Sequence, residues 1–181
     1  MMKRSIGIIA VIVSLSVNAN SASIVFTPAL KSAGFQIGLV VPKEYNGPGF
    51  GCGAQVNYEL ISWLYLYPSF EFWYAGEKRP EDHVVTEYTI NADAKFILPV
   101  KNKDVPLSIY AATGFAFVIQ PNYWSTDPFD KNHTDIGPGI DFLVGFDFLY
   151  TKVSPFLQFK YRAGVPYYHV FKFVGGLNFN L

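Results

Sequence analysis

The stretch Val170–Leu181 reads V-F-K-F-V-G-G-L-N-F-N-L, and it constrains the fold more than any other. Phe171, Phe173, Leu177, Phe179 and Leu181 occupy odd positions, while Lys172, Asn178 and Asn180 occupy even ones. A period of two is the repeat of a β-strand whose two faces meet different surroundings. The odd face is large and apolar along its whole length. Such a face needs either lipid or a protein core against it.

The same division recurs upstream. Gly34–Val41 sets Phe35, Ile37, Leu39 and Val41 against Gln36 and Gly38. Phe50–Glu59 sets Cys52, Ala54, Val56 and Tyr58 against Gly51, Gly53, Gln55, Asn57 and Glu59. In Leu64–Gly76, Leu64, Leu66, Phe70, Phe72 and Tyr74 oppose Ser69 and Glu71, which share their face with Tyr65, Tyr67 and Trp73. Pro68 interrupts that segment and lacks a ladder donor, so a bulge or irregularity is expected there. Val85–Leu98 places Glu87, Thr89, Asn91, Asp93 and Lys95 opposite Tyr88, Ile90, Ala92, Ala94 and Phe96. Leu107–Gln120, Gly139–Leu149 and Pro155–Val165 continue the pattern, with Asp141 and Asp147 on one polar face and Lys160 and Arg162 on another.

That makes eight segments of about ten residues or slightly more. A strand tilted by about 45° crosses the hydrocarbon layer in about 9–11 residues. An even number of strands returns both termini to one end. No segment holds a 3.6-residue apolar period, and no internal domain boundary is evident over residues 34–181. The chain has 181 residues, which suits one domain. Aromatic residues make up 18%, with 12 Tyr and 17 Phe, a composition that favours strands and membrane interfaces. Formal net charge is +0, from 14 basic and 14 acidic residues, so the basic footprint of a nucleic-acid binder is missing. The lone cysteine, Cys52, cannot form an internal disulfide and reads as a small hydrophobe on an apolar face.

Residues 1–22 read as a cleavable helical signal peptide. Lys3 and Arg4 form a basic start, Ile6–Val17 an apolar middle, and Val17-Asn18-Ala19 a small-x-Ala cleavage pattern. Cleavage is expected after Ala19, or after Ala22 as the weaker alternative.

Alternation alone does not say which face is wet. A soluble barrel or sandwich turns its apolar faces inward, and a membrane barrel turns them outward. Three features favour the membrane. The polar faces are rich in Gly, Ala and Ser and carry charges of both signs, as a narrow eight-stranded lumen requires. The apolar faces are large and almost uninterrupted, and the leader directs the chain into the envelope. Connections after the first, third and fifth segments are also longer than those after the second and sixth. The expected interior is therefore a paired polar network of Glu59, Glu71, Glu87, Asp93, Lys95, Asp141, Asp147, Lys160, Arg162 and Lys172. An ion or proton path along these charges is the competing reading. A closed eight-stranded lumen disfavours it.

On these residues, Gly34–Leu181 resembles the small eight-stranded outer-membrane β-barrels of Gram-negative bacteria, the OmpA/OmpX-like class. Phe171–Leu181 is similar to the alternating terminal signal read by the barrel-assembly machinery, with Leu181 where Phe is usual. The resemblance implies an all-β, antiparallel, up-and-down transmembrane barrel. It also implies a monomer of the cell envelope, porin-like in character, in contact with outer-membrane lipids and lipopolysaccharide. Some barrels of this size modify lipid A. They include a deacylase and a palmitoyltransferase, and the deacylase family carries a serine two residues after its histidine, where Phe171 stands after His169 here. His83 and His133 are the other histidines, and both read as loop residues.

Asp127, Asp130, His133 and Asp135 cluster in the longest loop, but their spacing matches no standard ion-binding loop and suits ordinary turns. Tyr123, Trp124 and Phe129 in the same loop read as part of an outer aromatic girdle. No catalytic residue, cofactor or metal is expected. The role expected is structural, or interaction with an extracellular ligand through the loops Pro42–Gly49, Glu77–Val84 and Pro121–Pro138. A lipid A-modifying enzyme and a periplasmic lipocalin-like binding barrel are the alternatives.

Overall fold

The structure, a computed structural model, describes residues 28–42, 48–77, 83–98, 106–123, 133–165 and 168–181. The signal peptide expected over residues 1–22 lies outside them. Eight strands follow in chain order: β1 (Ala29–Pro42), β2 (Gly49–Ile61), β3 (Leu64–Glu77), β4 (His83–Leu98), β5 (Leu107–Tyr123), β6 (His133–Phe148), β7 (Val153–Val165) and β8 (Tyr168–Asn180). Each pairs antiparallel with the next, and β8 returns to β1 to close the barrel. Closure leaves no sheet edge, so every strand finds its backbone partners within the wall.

The two faces separate as the alternation predicts. Phe35, Ile37, Leu39 and Val41 of β1 point outward, while Gln36 and Val40 are buried inside. On β4 the outward Tyr88, Ile90 and Phe96 oppose buried Glu87, Thr89, Asn91, Asp93 and Lys95. Phe115 is 73% exposed and Ile37 64%, whereas Lys160, Lys172, Glu71 and Asp141 are each 0% exposed. The apolar face is outside and the charges are inside. The lipocalin-like alternative requires the reverse.

Three boundaries differ from the sequence expectation. β1 starts at Ala29 rather than Gly34, because a register shift between Leu30 and Ser32 leaves both Leu30 and Lys31 exposed. That bulge hides the two-residue period. The loop expected over Pro121–Pro138 is shorter, since β5 runs to Tyr123 and β6 begins at His133. The charged loop expected over Glu77–Val84 likewise gives way to strand at both ends. Strands of 13 to 17 residues therefore exceed what a membrane crossing needs.

Pro68, where a bulge or irregularity is expected, shows an interrupted ladder toward β2 and no bulge. Register toward β4 runs unbroken through Tyr67↔Asp93, Pro68↔Ala92 and Ser69↔Asn91. Toward β2 the same register holds from Gln55↔Ser69 to Tyr58↔Leu66, without the rungs between. The missing proline donor removes local pairing and inserts no extra residue.

Inward glycines make room for inward rings. A Cβ at Gly51 would overlap the Trp73 indole, and one at Gly145 would lie 2.5 Å from the Tyr110 phenol. Gly164 has a different task. Its φ is +112°, and the β7–β8 register shifts between Arg162 and Val165, so the chain bulges just before it turns into β8.

Candidate functional site

All ten residues expected to line the lumen are buried on the inner wall. The structure gathers seven of them into one cluster: Glu71 on β3, Glu87 and Asp93 on β4, Asp141 on β6, Lys160 and Arg162 on β7, and Lys172 on β8. Alternation places each side chain inward. The stagger of the closed sheet then brings residues far apart in sequence into contact.

Lys160 Nζ lies 2.8 Å from Glu71 Oε1 and 2.7 Å from Asp141 Oδ2. Arg162 donates from Nε to Asp141 Oδ1 at 2.7 Å and from Nη1 to Glu87 Oε1 at 2.7 Å. It also donates to Thr89 Oγ1 at 3.0 Å and Asn91 Oδ1 at 2.8 Å. Lys172 Nζ bridges Glu71 Oε2 at 2.9 Å and Glu87 Oε1 at 3.1 Å. The Trp73 indole donates to the same Glu71 oxygen at 2.8 Å, and its ring centroid lies 4.5 Å from Lys172 Nζ. Each cation is thus held by two carboxylates, which offsets the cost of burying charge. Asp93 differs. Its nearest cation is Lys160 at 4.0 Å, and neither oxygen accepts a protein hydrogen bond.

The other three residues lie toward the end that carries the termini. Lys95 Nζ sits 2.7 Å from Asp147 Oδ2 and 3.8 Å from the centroid of the Tyr110 ring. Glu59 pairs with Lys31 at 2.7 Å. A cavity of about 210 Å³ opens among Lys31, Asn57, Tyr65, Lys95, Asp147 and Asn178.

Sequence parity places Tyr67 and Trp73 on the polar face but does not single out the rest of the apolar plug. Val40, Trp73, Ala75, Phe156, Val170 and Val174 pack as one buried cluster within the wall, and Tyr67, Ala112 and Leu143 as another. Their inward parity was the only signal available. Interleaved with the ion pairs, they pack the lumen beside the charged cluster. The arrangement suits locking strands from within: the charged cluster alone ties together β3, β4, β6, β7 and β8.

The remaining candidates fall outside this cluster. Asp127, Asp130, Trp124 and Phe129 lie outside the described residues, as do the side chains of Tyr123, His83 and His133. Asp135 is on β6 and half-buried. Among the described residues, no group of three or more His, Cys, Asp or Glu side chains is placed to hold a metal ion. His169 is exposed on the outside of β8, with its Nδ1 2.6 Å from Tyr161 Oη. Cys52 is exposed on the outer face of β2.

An apolar exterior around an ion-paired, side-chain-filled interior defines a small eight-stranded transmembrane β-barrel. No protein-family model matches the chain, and no curated protein matches it. Solved structures do share its fold. Neisserial surface protein A (NspA) superposes with a TM-score of 0.61 at 12% identity, over 84% of this chain and 96% of that one. Ail, the attachment invasion locus protein of Yersinia pestis, solved in complex with the heparin analogue sucrose octasulfate, gives 0.55 at 16% identity over 84% and 97%. The outer membrane enzyme PagL gives 0.55 at 9% identity over 83% and 99%. The fold is therefore that of the small outer-membrane barrels, a class that includes both surface proteins and an enzyme.

Proposed function

We propose that this protein is an integral outer-membrane barrel with a plugged lumen, whose role is structural or is exerted at the surface through the connections after β1, β3 and β5. The observation that carries this reading is the inversion of faces: large apolar side chains outside, and buried Lys160, Arg162 and Lys172 held by carboxylates inside. A soluble protein would expose that apolar surface to water at great cost. The interleaved Trp73, Phe156 and Val174 support a lumen that does not conduct. The shared fold with NspA and Ail supports a surface role, and residues 1–22 support export by a cleaved signal peptide. In this reading the barrel-assembly machinery inserts the chain as a monomer. Outer-membrane lipids and lipopolysaccharide then surround it, and its loops meet an extracellular ligand.

Lipid A modification is the reading to test against. His169 faces outward, but its nearest polar partner is a phenol, and Phe171 stands two residues on. A serine-type hydrolysis needs an activated nucleophile beside its base. Expression in a Gram-negative host separates the readings. The expected protein fractionates with the outer membrane, needs detergent for release and migrates faster on gels before heating than after. It gives no steady single-channel current and leaves the lipid A mass spectrum unchanged. Release by osmotic shock would overturn the membrane reading, and a new lipid A species dependent on His169 would overturn the non-enzymatic one.

A further inference from the structure

The outer wall carries one unexpected side chain. Among the described outward-facing strand positions at the loop end, His169 is the only basic residue. It does not stand alone. Its ring lies 5.8 Å from that of Tyr161 at an interplanar angle of 3°, with Tyr161 Oη 2.6 Å from Nδ1. Tyr161 is itself braced by Phe171, at 5.0 Å between centroids, and by Phe142, at 6.4 Å. Phe171 continues through Phe159 to Phe173. The imidazole is therefore held by a fixed phenol on an aromatic platform.

This pairing guarantees a hydrogen-bond donor. If Tyr161 donates to Nδ1, the neutral imidazole carries its proton on Nε2. If Nδ1 donates to the phenol oxygen, the Tyr161 hydroxyl is free to donate. A protonated imidazole donates from both nitrogens. In every state the pair presents a donor on an apolar wall, and in one it adds a positive charge.

Its height on the wall identifies what it meets. Phe171–Phe179 spans nine residues of β8, about what a tilted strand needs to cross the hydrocarbon. Set across the hydrocarbon, that stretch puts His169 one outward position beyond it, at headgroup level. We propose that the Tyr161–His169 pair binds the phosphate of an outer-leaflet glycolipid headgroup, with the aromatic strip below it lying against that lipid's acyl chains. The proposal rests on the outer-membrane reading and assigns that reading a specific lipid contact. A donor matches an anionic, acceptor-only group, and the apolar strip is continuous with the belt that lipid covers.

The test uses the full barrel in phosphatidylcholine nanodiscs doped with equal amounts of bisphosphorylated and dephosphorylated lipid A. Native mass spectrometry then counts which form stays bound. The wild-type protein is expected to retain the phosphorylated form about tenfold over the other, the ratio one charge-assisted hydrogen bond can supply. His169→Gln and Tyr161→Phe should each cut that preference severalfold, with heat-modifiable gel mobility unchanged. In wild type, the His169 imidazole ¹⁵N signals should shift only with the phosphorylated lipid, a readout that stands even if a variant fails to fold. Equal retention of both lipids, no shift of those signals, or an undiminished preference in both folded variants overturns the proposal while the barrel still resides in the membrane. Cleavage of the added lipid A overturns it in favour of catalysis. Failure to enter bilayers at all overturns the outer-membrane reading instead.

Discussion

Asp93 and Asp141 occupy one cluster with equal burial, 0% exposed each, and replacing them one at a time with asparagine separates the effect of contact from that of charge. The cluster holds three cations, Lys160, Arg162 and Lys172, and four carboxylates, Glu71, Glu87, Asp93 and Asp141. Either substitution leaves three of each, so the change in net charge is identical. The contacts are not. Asp141 accepts from Arg162 Nε at 2.7 Å and Arg162 Nη2 at 3.2 Å, and lies 2.7 Å from Lys160. Asp93 has only Lys160, at 4.0 Å.

Breaking one side of a buried ion pair costs about 3–5 kcal/mol. Asp141→Asn should fall in that range, since an amide nitrogen would be set against Arg162 or Lys160. Asp93→Asn removes a charge without hydrogen bonds, whose burial costs about 1–3 kcal/mol or more. It should be neutral or should stabilise by up to about 2 kcal/mol. The two variants should therefore differ by at least about 3 kcal/mol, roughly two decades in the unfolding constant. Urea titration of the barrel in phospholipid vesicles, followed by tryptophan fluorescence and by heat-modifiable gel mobility, measures the difference. Asp93→Asn destabilising the barrel as much as Asp141→Asn would refute the reasoning, because short contacts would then not be what the plug depends on.

Two further substitutions probe the wall. Gly51→Ala places a methyl group against the Trp73 indole, and overpacking of this kind should destabilise by about 1–3 kcal/mol, read as a lower urea midpoint and less heat-modifiable protein. Ile37→Arg, at an outward position that is 64% exposed, should cost about 2–4 kcal/mol in a bilayer if that position lies near the midplane. In detergent, where the side chain can reach water, the same variant should lose less. Equal losses in both media would argue against a lipid-facing wall.

Which residues face the lumen is a local property, and which of them meet is not. Parity along β4 is enough to place Glu87, Asp93 and Lys95 on one side, because neighbouring strand positions alternate whatever lies across the barrel. The bond from Lys160 to Glu71 spans 89 positions and that from Lys172 to Glu71 spans 101, and both depend on the stagger of a closed sheet. Pattern also falls silent where both faces are apolar. Phe156 lies inside between Pro155 and Leu157, and nothing in that tripeptide marks it as part of the plug. The rim pair shows the same limit at the surface. Odd parity sets His169 outward, but its contact with Tyr161 is diagonal, two residues from Tyr161's direct partner Phe171. The register of β7 against β8 decides that contact, and just beyond it the chain shifts register at the Gly164 bulge. A one-residue slip in that register would turn the imidazole to the opposite face and place it in the plug. The same register therefore sets both the ion pairs that hold the lumen closed and the donor presented to the lipid.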